Sequence, residues 1–186
     1  MPTESRRDTP FRSEPLLRGL GNRLLQVVAL YAPGQTTVRV WLHRRRGVRI
    51  GNDVRIGTDV LIETAFPEWV RIGDHVIVSM RSTIIAHFEG SLPPVQEKTA
   101  YVSVRIEDEV FVGPGSIILP NVTIGRGSVV SAGSVVTRSI PPMTMVQGNP
   151  ARPIAHCEVP LTYRTPLKEF LSRLRPIQQT EGLHSD

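Results

Sequence analysis

From Ile50 onward, aliphatic residues return at every sixth position. Ile50, Ile56 and Ile62 form a first set, and Ile72, Val78 and Ile84 a second. Ile106, Val112, Ile118, Ile124, Val130 and Val136 form a third. The residue after each is often small or acidic, as at Gly51, Gly57, Glu63, Gly73, Ser79, Glu107, Gly113, Gly125 and Ser131. Four positions after each comes a second inward candidate, Val or Ser: Val54, Val60, Val76, Ser82, Val110, Ser116, Val122, Ser128 and Ser134. A helix needs apolar residues three and four apart, and a plain strand needs longer alternation. A period of six predicts short strands joined by sharp turns, with glycine supplying turn dihedrals closed to other residues. One such coil cannot bury its own aliphatic row, so coils must stack.

Two breaks interrupt the period. Between Ile62 and Ile72, the stretch Thr64-Ala65-Phe66-Pro67-Glu68-Trp69 predicts a small corner bulge. Between Ile84 and Ile106, residues 88–99 lack the pattern and must leave the repeats as a loop, where function concentrates. Upstream, Leu16, Leu17, Leu20, Leu24, Val27, Val28 and Tyr31 predict a helix over residues 14–32, ended by Pro33-Gly34. A second helix, capped by Thr36 or Thr37, should run through Arg46, its Arg44-Arg45-Arg46 end complementing the helix dipole. Both should pack on the first coil and close its open end. After the repeats, a short helix is expected over residues 166–174, with disorder in the last ten or so residues.

The 186 residues suit one domain, and 40% hydrophobic with only 5% aromatic content suits an interior of Val and Ile. No apolar run is long enough to span a membrane. Residues 1–15 carry no apolar signal-peptide core, so cytoplasmic location is the expectation. Cys157, the one cysteine, can build neither an intrachain disulfide nor a thiolate zinc site alone. The net charge of +5 is uneven: residues 1–49 hold ten Arg against Glu4, Asp8 and Glu14. Only Phe11, Tyr31 and Trp41 lie among these arginines, fewer than a base-stacking surface requires, so nucleic acid is not expected as a partner. A solvated helix face is the favoured reading, ahead of contact with a membrane surface.

The hexads cover residues 48–153. Within them run Gly113-Pro114-Gly115, then Ile118 to Gly125, then Ser131-Ala132-Gly133-Ser134-Val135-Val136-Thr137-Arg138. Gly148-Asn149-Pro150-Ala151-Arg152 follows. On these stretches the chain resembles the hexapeptide-repeat acyltransferases, in the branch acting on sugars and polysaccharides. The resemblance implies an all-β solenoid: a left-handed parallel β-helix of triangular cross-section, three hexads to a coil and about four coils. Residues 1–47 would then be a basic helical cap, 48–153 the β-helix with its protruding loop, and 154–186 a tail with a short helix.

The same resemblance assigns the chemistry. His87, in Ile84-Ile85-Ala86-His87 at the edge of the long loop, stands where the family has its catalytic base; acyl transfer to a hydroxyl needs a base of near-neutral pKa. Acetyl-CoA would be the co-substrate, with Phe111 as an apolar wall beside the acyl site and Gly113 close by. Ala132 and Thr137 would meet the pantetheine arm. Arg138 and Arg152 would meet the phosphates, which their planar forks fit. Pro114 departs from the pattern, because some family members use the backbone N–H there to stabilise the oxyanion. Counting coils places Glu63 beside Ile85, where it could hold the acceptor, orient His87, or merely face solvent. Asp59 is a further acceptor-binding candidate.

The expected function is O-acyl transfer from acyl-CoA, acetyl first, to a small hydroxyl-bearing acceptor such as a sugar or glycosylated metabolite. The resemblance also implies a homotrimer. A scaffold reusing the fold is the alternative. A zinc carbonic anhydrase ranks below it, because three converging imidazoles are not available and no metal is expected.

Overall fold

The computed structural model describes residues 16–88 and 102–177. Most of the expected loop and the C-terminal end from residue 178 lie outside the described residues. Each aliphatic position forms a strand of two or three residues, and the strands build three parallel sheets. Ile50, Ile72, Ile106 and Ile124 stack in register on the first face. Ile56, Val78, Val112, Val130 and Val146 stack on the second. Ile62, Ile84, Ile118 and Val136 stack on the third. The result is a left-handed β-helix of four coils.

The second inward rank is also buried. Val54, Val60, Val76, Val110 and Val122 extend the aliphatic core. Ser82, Ser116 and Ser128 take the same rank and donate their hydroxyls to backbone carbonyls, which satisfies these polar groups inside the prism.

The glycines do other work than the sequence suggests. Gly51, Gly57, Gly73, Gly113 and Gly125 do not adopt left-handed dihedrals. They let neighbouring coils approach: a Cβ on Gly113 would lie 2.6 Å from the Ala132 nitrogen, and one on Gly73 2.8 Å from that of Asp108. Left-handed backbone falls two residues later, at Asp53, Asp59, His75, Glu109 and Asn121 as well as at Gly115, Gly127 and Gly133. Asp and Asn tolerate that conformation better than most side chains.

Helix α1 (Leu16–Tyr31) and helix α2 (Val38–Arg46) close the first coil. Between stacked coils, the N–H after each aliphatic residue donates to the aliphatic carbonyl of the next coil, as Gly51 does to Ile72. Ile50, Ile56 and Ile62 have no coil before them to supply that donor. Three arginines of α2 take its place, one per face. Arg44 donates to the carbonyls of Ile50 and Gly51. Arg39 donates to Ile56 at 2.6 Å, and Arg46 to Ile62 and Glu63 at 2.9 and 2.5 Å.

This corrects two expectations. Arg39 and Arg46 are buried and do not belong to a solvated face. The apolar residues of α1 do not face the coil: Leu20, Leu24, Val27, Val28 and Tyr31 are exposed, while Asn22, Gln26 and Ala29 turn inward. Gln26 explains the inversion, since its side-chain amide donates to the Val60 carbonyl and accepts from the Ile62 N–H. The open end of a parallel sheet presents polar groups, so a polar helix face fits it better than an apolar one.

At the far end, strand Thr144–Gly148 adds to the second face, and Ala151–Cys157 pairs with it antiparallel. That strand runs past the expected boundary at residue 153. Leu174–Pro176 pairs with it in turn, and helix α3 (Leu167–Ser172) buries Phe170 against Val129 and Cys157. Burial pushes the Cys157 thiol up to about 11.

Candidate active site

The third face leads into a corner shared by all four coils. Hydrogen bonds from Glu63 to Ile84, from Ile85 to Ile118 and from Leu119 to Val136 run up it as a ladder. Glu63 therefore stacks on Ile85, and Thr137 stands in the same column on the fourth coil. His87 lies two residues past Ile85.

Glu63 is 3% exposed, and protein groups satisfy its carboxylate. One oxygen accepts the N–H groups of Ala65 and Phe66. The other accepts the Ala86 N–H at 2.8 Å and the His87 Nδ1–H at 2.7 Å. Burial pushes the Glu63 carboxyl up, but the hydrogen bonds from His87, Ala86 and Ala65 together outweigh it and hold the carboxyl below its ordinary value. Of the three sequence readings, orienting His87 is the one this geometry fits, because no oxygen of Glu63 is left over for an acceptor. With Nδ1–H held by the carboxylate, Nε2 keeps its lone pair, and the imidazole is 26% exposed. That is the arrangement of a general base positioned by a buried acid.

The corner bulge supplies a feature the repeat pattern passes over. Pro67–Trp69 is a short 3₁₀ turn, and Phe66 stacks on Trp69 with ring centroids 4.1 Å apart. Phe66 also meets the His87 ring edge-on at 5.3 Å. Two aromatic residues in the six-residue stretch that holds the four-residue insertion, in a chain poor in aromatics, were the available signal.

Two coils along the corner lies a pocket of about 260 Å³, lined by Arg138, Ser139, Ile140, Val146, Ala151 and Arg152 among others. Coil steps of about 4.8 Å put it roughly 10 Å from His87. The structure thus brings Arg138 and Arg152 together, both exposed, beside apolar side chains. Two exposed guanidinium groups, that of Arg152 also donating to the Ala151 carbonyl at 3.3 Å, stand over an apolar floor, and such forks pair readily with phosphate oxygens.

The other candidates lie elsewhere in the chain. Gly113 and Ala132 sit at the corner between the second and third faces, where Gly113 serves coil stacking. Asp59 is at that corner too, in a left-handed turn, 3.7 Å from Arg81 of the next coil. Phe111 is on the second face, against the satellite core around Phe170. Beside Pro114, the Gly113 N–H is committed to Val130 and the Gly115 N–H to Met80, so neither supplies a free oxyanion donor. Among the described residues, no three His, Cys, Asp or Glu side chains form a set that could hold a metal.

Residues 103–138 match the family described as bacterial transferase hexapeptide (six repeats). YvoF of Bacillus subtilis (strain 168), which bears a provisional acetyltransferase name, is 32% identical over 143 residues, covering 76% of this chain and 80% of that protein. The galactoside O-acetyltransferase of Lactococcus lactis is 37% identical over 81 residues, 42% of this chain and 39% of its own length. A hexapeptide-repeat acetyltransferase of Vibrio cholerae, solved with acetyl coenzyme A, superposes with a TM-score of 0.55 at 24% identity, over 78% of this chain and 90% of that one. By repeat, fold and kinship, the chain belongs to the hexapeptide-repeat acetyltransferase family.

Proposed function

We infer that the protein transfers an acetyl group from acetyl-CoA to a hydroxyl of a sugar or glycosylated metabolite. The observation that carries this is the His87–Glu63 pair, exposed at its imidazole end and on the same corner as the arginine pocket. Nε2 of His87 takes the proton of the acceptor hydroxyl as its oxygen attacks the acetyl carbonyl. The C–S bond breaks, and the proton passes to the departing thiolate, giving ester and free coenzyme A. Arg138 and Arg152 hold the phosphates, and Thr137 lies between them and the base along the pantetheine path. The Phe66–Trp69 pair beside His87 offers an apolar wall to a sugar ring. The sequence likeness to a galactoside O-acetyltransferase supports a sugar acceptor.

A homotrimer belongs to this reading. Ala132 and Gly113 occupy one corner of the third face and His87 the other, so a single chain does not bring them together. Packing of a second copy along that face would bring its Ala132 corner to the first copy's His87. Cytoplasmic location belongs to the same reading.

The test is acetyl-CoA turnover against a panel of mono- and oligosaccharides. Free thiol release is followed alongside the mass of the acceptor. Acceptor-dependent thiol release with one acetyl added supports the reading. Thiol release that no acceptor accelerates would remove it.

A further inference from the structure

We propose that the outer face of α1 is a docking site for an anionic lipid surface, on which the helix lies in plane. At 3.6 residues per turn, Leu20, Leu24, Val27, Val28 and Tyr31 fall within an arc of about 100°. All five are exposed, from 47% at Val28 to 74% at Tyr31. Trp41 of α2 is exposed as well, at 55%. A soluble helix normally turns its apolar stripe to the core. Here the polar stripe is held inward by the carbonyls and N–H groups of the first coil, so the apolar stripe is left facing out by construction.

The charge around this face selects the occupant. Residues 16–50 contain seven Arg and no Asp or Glu. Arg39, Arg44 and Arg46 are engaged in capping, whereas Arg23, Arg45 and Arg49 are exposed and take no part in it. Arg23 flanks the apolar arc, and the Arg45 guanidinium lies 5.7 Å from the centre of the Trp41 ring. A second copy docking by symmetry would bring like charges together, with no acid in the segment to pair them. An anionic bilayer answers both properties. Its headgroups pair with the arginines while Leu and Val enter the acyl boundary, and Tyr and Trp suit the interface itself. No described helix is long and apolar enough to cross a membrane, so the contact is on the surface and not through it. The inference is independent of the acyl-transfer reading.

The test is cosedimentation of the full chain with vesicles of phosphatidylcholine alone and with a third of the lipid replaced by phosphatidylglycerol. The wild type should bind the anionic vesicles, bind the neutral ones far less, and release as salt is raised. The Leu24→Glu/Val28→Glu double variant should keep its circular dichroism spectrum and lose binding by about tenfold or more, as expected for charges placed on an inserted face. Arg23→Glu with Arg45→Glu should weaken binding to the anionic vesicles only. Equal binding to both vesicle types overturns the proposal, as does a double variant that binds like the wild type. If the wild type ignores vesicles and the double variant instead dissociates an oligomer in solution, the face is an interface between copies.

Discussion

Glu63 Oε2 and His87 Nδ1 lie 2.7 Å apart across 24 residues of chain. One coil of 18 residues, a bulge of four and two steps into the turn account for that separation. The pair is thus a product of coil stacking, and under the proposed function Glu63 is a positioning residue for His87. Glu63→Gln can still accept from His87 through its amide oxygen, but it cannot satisfy every N–H around the site. Its kcat should fall about 10–100-fold, the usual cost of losing an orienting partner, while the KM for acetyl-CoA stays unchanged. A rise in acceptor KM with unchanged kcat would make Glu63 a binding residue instead.

His87→Ala should retain the fold and coenzyme A affinity and lose about 10²–10⁴-fold in turnover, the range for loss of a general base. Steady-state rates with the acceptor found in the saccharide panel decide this. Near wild-type turnover would exclude His87 from the chemistry.

Stability should fall on the acid side. Burial, then the charges of Arg46 and Arg39, push the buried His43 down to about 3 from an ordinary 6.5. A group whose folded value is lowered stabilises the fold above its unfolded value and loses that contribution as pH falls. The window therefore runs from 6.5 down towards 3. Glu63, also lowered, adds a second loss below its ordinary 4.5. The unfolding free energy from urea titration should drop through the first window with a limiting slope of about 1.4 kcal/mol per pH unit for one proton. His43→Gln keeps an acceptor for Arg46 and should flatten that slope. An unchanged slope in the variant would assign the acid sensitivity to other groups.

Arg138→Ala and Arg152→Ala should each weaken coenzyme A binding by about 1.5–3 kcal/mol, the range for a charge-assisted hydrogen bond. The loss should shrink at high salt. Both side chains are exposed, so thermal stability should barely move. Pantetheine lacks the nucleotide phosphates, so titration with it should show no effect of either change. Wild-type coenzyme A affinity in both variants would remove these arginines from the binding site.

The six-residue period carried the strands and their inward rank, and the three hexads per coil that the resemblance implies added the number of coils and their register. It also placed Glu63 next to Ile85, since stacking is arithmetic once the period is known. It did not show which glycines bend the chain and which admit a neighbour, because both demands select the same small residue. The direction of α1 was hidden for a related reason. Leu20, Leu24 and Val28 form a stripe at helical spacing, and burial is the ordinary meaning of such a stripe. What overrode it was the polar edge of the first coil, visible only once Gln26 and the arginines of α2 meet its backbone. Phe66 and Trp69 escaped because an insertion interrupts the pattern that made everything else readable.

The three arginine contacts also bear on how the solenoid ends. An uncovered parallel edge is a template on which another chain can extend the sheet, and identical copies would stack end to end into a fibre. Arg39, Arg44 and Arg46 occupy the acceptor groups such a copy would need, one on each side of the triangle. A guanidinium satisfies those carbonyls but cannot pass the ladder on, since it presents no new strand beyond itself. The same residues that finish the first coil therefore close this end to strand addition.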